Sequence, residues 1–160
     1  MDGDIGGNGS YFSLKAPKST GREEFNLQWL EEYLQASPPL APQDVQASLL
    51  ELTAGSISKA IKPILIATNT EIYVCGGGAY NSRLIQRLQE MLTGNQVSTT
   101  QELGLAPDWI EAMAFAWLAQ QTLEGKPGNL CKVTGASEQT ILGGIFPGSS
   151  GSAAWAQKLK

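Results

Sequence analysis

Three consecutive glycines, Gly76 to Gly78, are the first feature of this sequence that could serve chemistry. A turn without Cβ atoms lets backbone N–H groups approach a ligand closely, and a helix that opens after it offers a positive dipole end to a nucleotide. The alternative is a tight strand-to-helix turn that needs positive φ. The run matches neither the dinucleotide fingerprint nor the phosphate-loop pattern ending in Gly-Lys-Ser/Thr. The glycines alone therefore leave both interpretations open.

Two carboxylates, Asp108 and Glu111, stand three residues apart where a helix is predicted to begin, so they share one face of its first turn. Either could orient a sugar hydroxyl. The alternative is that both only favour the helix N-terminus electrostatically.

A cationic loop lies near the N-terminus, where Lys15, Lys18 and Arg22 flank Ser19 and Thr20. Such a group suits hydroxyls or phosphate oxygens. A solvated loop would have the same composition, so this alternative also stays open.

The composition of the 160 residues excludes several kinds of site. Histidine is absent, which excludes His-based triads, His general bases and metal sites that need imidazole. A net charge of −4 without clustered cations argues against nucleic-acid binding. No apolar run approaches about 18 residues and no signal pattern is visible, so we expect neither a membrane helix nor export, and predict a cytoplasmic protein. Cys75 and Cys131 are predicted to be reduced thiols.

Two helices are predicted in the first half of the chain. Apolar residues at helical spacing predict one from about Asn26 to Gln35. A second should begin near Pro42 and stop or kink at Pro63. Its predicted buried face comprises Val45, Leu49, Leu52, Ala60 and Ile64.

A strand, glycine turn, helix and strand follow in that order. The alternating segment Glu71 to Cys75 predicts a strand that runs into the glycines. A helical stripe that ends at Gly94 comes next, and Val97 to Thr100 predicts a second strand.

An apolar helix is predicted after Asp108, which we expect to cap it, and Gly125 should close it after Leu123. Such a helix should be buried on most sides. Residues 140–146 are expected to be extended or helical. Residues 1–10 are predicted to be a flexible lead and residues 148–160 a flexible tail.

Several short runs, taken together, resemble the anhydro-N-acetylmuramic acid kinase family. They are Lys-Ser-Thr-Gly-Arg-Glu (18–23), Val-Cys-Gly-Gly-Gly-Ala-Tyr-Asn (74–81), Glu-Ala-Met-Ala-Phe-Ala-Trp-Leu-Ala (111–119), Pro-Gly-Asn-Leu through Val-Thr-Gly-Ala (127–136) and Leu-Gly-Gly-Ile-Phe-Pro (142–147). The resemblance extends over about residues 11–147, in the right order and spacing.

The resemblance implies a cytosolic bacterial enzyme of cell-wall recycling with an α/β, actin-like (ribonuclease H-like) ATPase fold of two lobes. It implies ATP and Mg²⁺ as cofactors, opening of the 1,6-anhydro ring of 1,6-anhydro-N-acetylmuramic acid by water, and phosphorylation of the freed 6-hydroxyl. Residues 11–147 would form the later part of the second, nucleotide-side lobe, with helices packed on a small, incomplete sheet.

The same resemblance implies roles for particular residues. Gly76, Gly77 and Gly78 would form the turn that packs against the adenosine of ATP. Asn81 would support that turn or face the nucleotide, and Glu111 would contact the anhydro sugar or the attacking water. The run that contains Lys18, Ser19, Thr20, Arg22 and Glu23 is a further candidate without assigned roles. No metal ligand is assigned.

Parts of the family pattern have no counterpart in this sequence. The phosphate loop, the aspartate general base and most contacts to Mg²⁺ are expected in an N-terminal lobe that this chain does not contain. We therefore predict that the isolated chain is inactive, exposes apolar surface and self-associates or has a soft core. The alternatives are a stand-alone nucleotide-binding module and a nonfunctional truncation.

Overall fold

The computed structural model of the chain describes residues 11–15 and 17–146, so the predicted lead and tail lie outside the described residues. These residues form a helix-rich α/β structure with one two-stranded parallel sheet, which confirms the predicted class. The chain divides into two compact units, one up to Pro107 and one from Asp108. The helices and strands are α1 (Leu27–Gln35), α2 (Pro42–Ile61), β1 (Glu71–Val74), α3 (Ser82–Met91), β2 (Gln96–Thr99), α4 (Trp109–Leu123) and α5 (Cys131–Thr134).

The predicted strand, turn, helix and strand unit is confirmed in the first unit. β1 and β2 pair in parallel with Glu71 opposite Gln96 and Val74 opposite Thr99, and α3 connects them. Gln89 of α3 accepts a hydrogen bond from the Val97 N–H of β2 at 2.8 Å. This bond satisfies a backbone donor of β2, which limits the exposure of an unpaired strand edge.

The core of the first unit lies where α2 packs on α3 and the sheet. Its buried apolar residues are Ala54, Leu84, Leu88, Leu92 and Val97, with Leu50, Ile57 and Ile61 partly buried against them. α2 begins at Pro42 and ends at Ile61, and a 3₁₀ turn that contains Pro63 follows, as predicted. The predicted buried face is right only in its first part: Val45, Leu49 and Leu52 are half-buried, whereas Ala60 and Ile64 are exposed. The fully buried residues of α2 are Ala54 and Ser58.

Charged side chains also join α2 to α3. The Nε–H of Arg87 is shared between the two carboxylate oxygens of Glu51, at N···O distances of 2.7 and 2.9 Å, and an Nη1–H of Arg87 donates to Glu90 at 2.9 Å. The hydrogen bond from Arg87 holds the pKa of Glu90 below its ordinary value.

A separate aromatic cluster holds the N-terminal segment against α1. Tyr11, Phe12, Phe25, Trp29 and Tyr33 form a chain of ring contacts with centroids 5.1–5.7 Å apart. α1 begins with the Asn26 side chain accepting from the Trp29 N–H, a regular N-cap. The predicted helix is thus confirmed, with Asn26 as its cap.

The second unit consists of α4 and the segment after it. α4 ends before Gly125, whose φ of +65° fits the predicted close. Two expectations for this unit are wrong: no residue of α4 is buried, and Asp108 makes no side-chain capping hydrogen bond. Residues 140–146 form neither helix nor strand.

Candidate functional site

The glycine turn stands at the carboxyl end of β1. Gly76 has a φ of +74°, its N–H donates to the Pro107 carbonyl at 3.1 Å, and its carbonyl accepts from the Ala79 N–H at 3.0 Å. With a ψ of −173° this is an extended, positive-φ conformation that is essentially restricted to glycine, and another residue there costs about 1–3 kcal/mol. The backbone conformation therefore explains the glycine at position 76.

Gly77 has no such explanation. It lies outside the positive-φ glycines, and a Cβ built on it meets no heavy atom within 4 Å. A Cβ on Gly78 would make only an ordinary contact, 3.6 Å from a methyl carbon of Leu84. Both residues begin the 3₁₀ turn Gly77–Tyr80, whose first N–H groups have no acceptor within the turn itself. The turn thus presents bare backbone to open space at Gly77.

Asn81 fixes the start of the helix that follows the turn. Its side-chain oxygen accepts from the Leu84 N–H at 3.1 Å, and its carbonyl accepts from the Ile85 N–H at 3.1 Å. Both bonds cap α3 directly after the glycine turn. An N-cap of this kind stabilises a helix by about 0.5–2 kcal/mol.

Thr100, which the sequence analysis did not single out, follows β2 at the same edge of the sheet. The carboxyl ends of parallel strands meet at one edge, and the register places Thr100 one residue beyond the Val74 and Thr99 pair. Its hydroxyl oxygen is buried and has no hydrogen-bond partner among the described residues. The sequence signal for it is the strand end alone, because burial of one hydroxyl leaves no pattern in sequence.

The cationic loop is held by contacts within itself and to its neighbours. The Lys18 ammonium donates to the carbonyls of Tyr11 and Phe12 at 2.9 and 3.3 Å, and lies 4.7 Å from the Tyr11 ring centroid. The Thr20 hydroxyl donates to Glu24 at 2.7 Å. These two side chains order the loop.

Other members of the loop lie toward α1. Arg22 lines an open depression together with Phe25 and the first residues of α1. The Glu23 carbonyl accepts from the Asn26 side chain at 3.2 Å. Lys15 and Ser19 are exposed.

Glu111 lies in the first turn of α4, in the second unit, and its side chain is exposed. Gly76, Gly77, Gly78 and Asn81 belong to the first unit. The structure thus brings the predicted nucleotide residues together at the end of β1, and it places the predicted sugar carboxylate on the helix where the sequence predicts it.

Both cysteines are free thiols, as predicted, with Cys75 exposed beside the glycine turn and Cys131 partly buried in the second unit. In residues 11–15 and 17–146 no group of three or more Cys, Asp or Glu residues is arranged to hold a metal ion. No helix within these residues is long and apolar enough to cross a bilayer.

Comparison with known proteins shows strong similarity to one family. The sequence model described as "Anhydro-N-acetylmuramic acid kinase" matches residues 7–148. A curated protein of that name from Saccharophagus degradans is 53% identical over 137 residues, 85% of this chain and 36% of the relative. Kinases of the same name from Shewanella loihica and Pseudomonas syringae pv. syringae are 52% and 53% identical, over 88% and 86% of this chain. The chain spans 36–37% of the length of these relatives.

Proposed function

Since the chain belongs to the anhydro-N-acetylmuramic acid kinase family, we propose that it is the nucleotide-side portion of an ATP-dependent kinase for 1,6-anhydro-N-acetylmuramic acid. In the complete enzyme, water opens the anhydro ring and the freed 6-hydroxyl receives the phosphoryl group. We place this portion in the second lobe of an actin-like fold. The reaction belongs in the cytoplasm, where ATP is available.

The observation that carries this proposal is the unexplained glycine at position 77. Gly76 is required by its positive φ, whereas neither backbone conformation nor packing requires a glycine at Gly77. Close approach of a ligand to the backbone is a physical use for such a residue, and Gly77 differs from Gly55, which shares its open surroundings inside α2, in standing at the carboxyl end of a parallel strand. An adenosine packed on Gly76, Gly77 and Gly78 accounts for it.

Each residue of the turn then has a distinct part in binding. Gly76 bends the chain out of β1, Gly77 leaves room for the adenosine, and Asn81 fixes the first turn of α3 so that the turn keeps its shape. ATP, when bound, supplies the phosphoryl group. Phosphoryl transfer depends chiefly on positioning and electrostatic stabilisation, so a rigid nucleotide platform contributes directly to rate. No residue of this chain is assigned to Mg²⁺, which nucleotide enzymes commonly hold through one or two carboxylates and the phosphates of the substrate.

Glu111 is proposed to act on the sugar side, where its carboxylate would orient a hydroxyl of the anhydro sugar or the attacking water. In the cationic loop, Arg22 is the candidate to face an anion, because Lys18 and Thr20 are bonded within the protein. These roles are separate from nucleotide binding. They are therefore separable by kinetics.

A calorimetric titration of the purified chain with ATP tests the nucleotide platform directly. We expect saturable binding in the first unit and no turnover of ATP with the anhydro sugar, because these 160 residues span only 36–37% of the length of the relatives. Absence of ATP binding by a well-folded chain would contradict the platform. Phosphorylation of the sugar at an enzymatic rate would contradict the predicted inactivity.

Glu111 is tested best in the full-length Saccharophagus degradans relative. A Glu→Gln change at the counterpart of Glu111 should lower kcat and leave the ATP requirement unchanged, because an amide keeps the size but not the charge of the carboxylate. A Gly→Val change at the counterpart of Gly77 should raise the ATP requirement and leave sugar affinity unchanged. Equal effects of both changes on melting temperature, with normal kinetics of the folded enzymes, would show that both residues are only structural.

A further inference from the structure

The 3₁₀ turn Gly77–Tyr80 has an inner side and an outer side. Residues three apart in a 3₁₀ turn lie on the same side of it, so Gly77 and Tyr80 share one side. The two residues between them face the protein: a Cβ on Gly78 would contact a methyl carbon of Leu84, and Ala79 is buried. The turn therefore packs on the protein through its middle residues and presents its first and last residues outward.

This outer side combines an open backbone with an exposed aromatic ring. A Cβ built on Gly77 meets nothing within 4 Å, and Tyr80 is 62% exposed. Because a 3₁₀ turn rises about 2 Å per residue, the two positions are about 6 Å apart along the turn. Aromatic rings pair at centroid distances of about 4.5–7 Å. A flat ring packed on the bare backbone of Gly77 would therefore lie within stacking distance of the Tyr80 ring.

The chemistry of this outer side suits the base of a nucleotide better than its phosphates. Residues 75–82, which contain the whole turn, include no charged residue. Phosphate groups in proteins are commonly held by Arg and Lys side chains. Stacking of a base on an aromatic side chain needs no charge, because every base has a π-face.

We propose that the base of the nucleotide stacks on Tyr80, and that position 77 lacks a Cβ so that the base can reach this ring. The inference rests on the proposed function, which packs adenosine on the glycine turn. It adds to that function a side chain that contacts the base, which Gly76, Gly77 and Gly78 do not supply. The ligand class that this contact selects is a nucleoside with a flat heteroaromatic base.

Calorimetric titrations of the full chain with ATP, and separately with adenosine, test the stacking contact. Tyr80→Ala should weaken the binding of both ligands by the same factor, about thirtyfold, because the base is common to both. Tyr80→Phe keeps the ring and should bind both ligands as the wild type does. Ile66→Ala is the matched control, because Ile66 is 100% exposed and precedes β1 rather than following it. It should leave both affinities unchanged.

Thermal unfolding of each variant accompanies the titrations. If Tyr80→Ala does not fold, Tyr80→Leu replaces it, since leucine fills space without a ring and should still weaken both ligands at least about fivefold. Wild-type affinity of a folded Tyr80→Ala or Tyr80→Leu protein would overturn the stacking contact and leave the proposed function standing. A loss for ATP without a loss for adenosine would also overturn it, since Tyr80 would then act on the phosphates. A folded wild-type chain that binds neither ligand would contradict the proposed nucleotide platform itself, and the stacking contact with it.

Discussion

The glycine turn yields a prediction that distinguishes a glycine required by its backbone conformation from a glycine required by a bound ligand. In Gly76→Ala, the new Cβ meets no neighbour, but the residue must keep a φ of +74° and a ψ of −173°, which costs about 1–3 kcal/mol. A unit of this size then loses about 4–8 °C in Tm for each 1 kcal/mol. In Gly77→Ala the backbone is outside the left-handed region and the Cβ enters open space. That change should be neutral or stabilise by about 0.4–1 kcal/mol, since alanine has the less flexible unfolded chain.

ATP affinity should be sensitive to Gly77→Ala, the change that leaves stability intact. The Cβ of Gly77→Ala occupies the space proposed for adenosine, and a steric cost of about 1.4 kcal/mol already weakens ATP binding tenfold. Gly55→Ala is the matched control, because Gly55 lies inside α2 with nothing within 4 Å of its Cβ position. It should raise stability and leave ATP affinity unchanged.

Thermal unfolding and ATP calorimetry on the three variants test whether the glycine at position 77 serves ATP binding or the backbone conformation. The reasoning predicts that Gly76→Ala melts lower, that Gly77→Ala melts normally and binds ATP weakly, and that Gly55→Ala binds ATP normally. A folded Gly77→Ala protein with unchanged ATP affinity would refute the assignment of the turn. A Gly77→Ala protein as unstable as Gly76→Ala would show that position 77 has a structural demand for glycine.

Three further predictions follow from single contacts. Asn81→Ala should destabilise the first unit by about 1 kcal/mol in chemical unfolding, because the Leu84 N–H loses its cap, and Asn81→Ser should restore most of it. Asn129→Ala should cost about 1–3 kcal/mol and speed amide exchange in residues 138–140, because its buried side chain bonds two backbone groups there, at 2.9 and 2.7 Å. Because the hydrogen bond from Arg87 lowers the pKa of Glu90 in the folded state, that pairing should stabilise the protein above the ordinary pKa of a glutamate, and the stabilisation should be lost as pH falls through the folded pKa. Glu90→Gln should accordingly reduce the acid-side slope of stability, and an unchanged slope would contradict it.

The exposure of α4 bears on how the isolated chain should behave. The prediction from the family resemblance that apolar surface is exposed is confirmed by the exposed fractions of the α4 aromatics. The prediction from the helical pattern alone, that α4 is buried, is wrong for this structure. Both follow from the same composition, because an apolar helix is buried only where neighbours exist to cover it. Self-association remains a prediction, to be measured by light scattering.

The sequence by itself determined the local elements of this protein. Pro42 begins α2 and Gly125 follows the close of α4, as predicted, and the glycine run ends β1. These features depend on the steric properties of proline and glycine and on short-range hydrophobic periodicity. The same local runs carried the family resemblance. Neither the local elements nor the resemblance required contacts between residues distant in the chain.

Only the tertiary structure decided which helix faces are buried and at which position of the turn the backbone conformation requires glycine. α2 buries Ala54 and Ser58 rather than Ala60, because the position of α3 and the sheet selects the face, and several faces of α2 are similarly apolar. The positive φ at Gly76 occurs where its N–H donates to the carbonyl of Pro107, a residue far along the chain. A long-range hydrogen bond of this kind has no signature in a run of three identical glycines. The distinction between Gly76 and Gly77, on which the proposed nucleotide site rests, therefore required the folded chain.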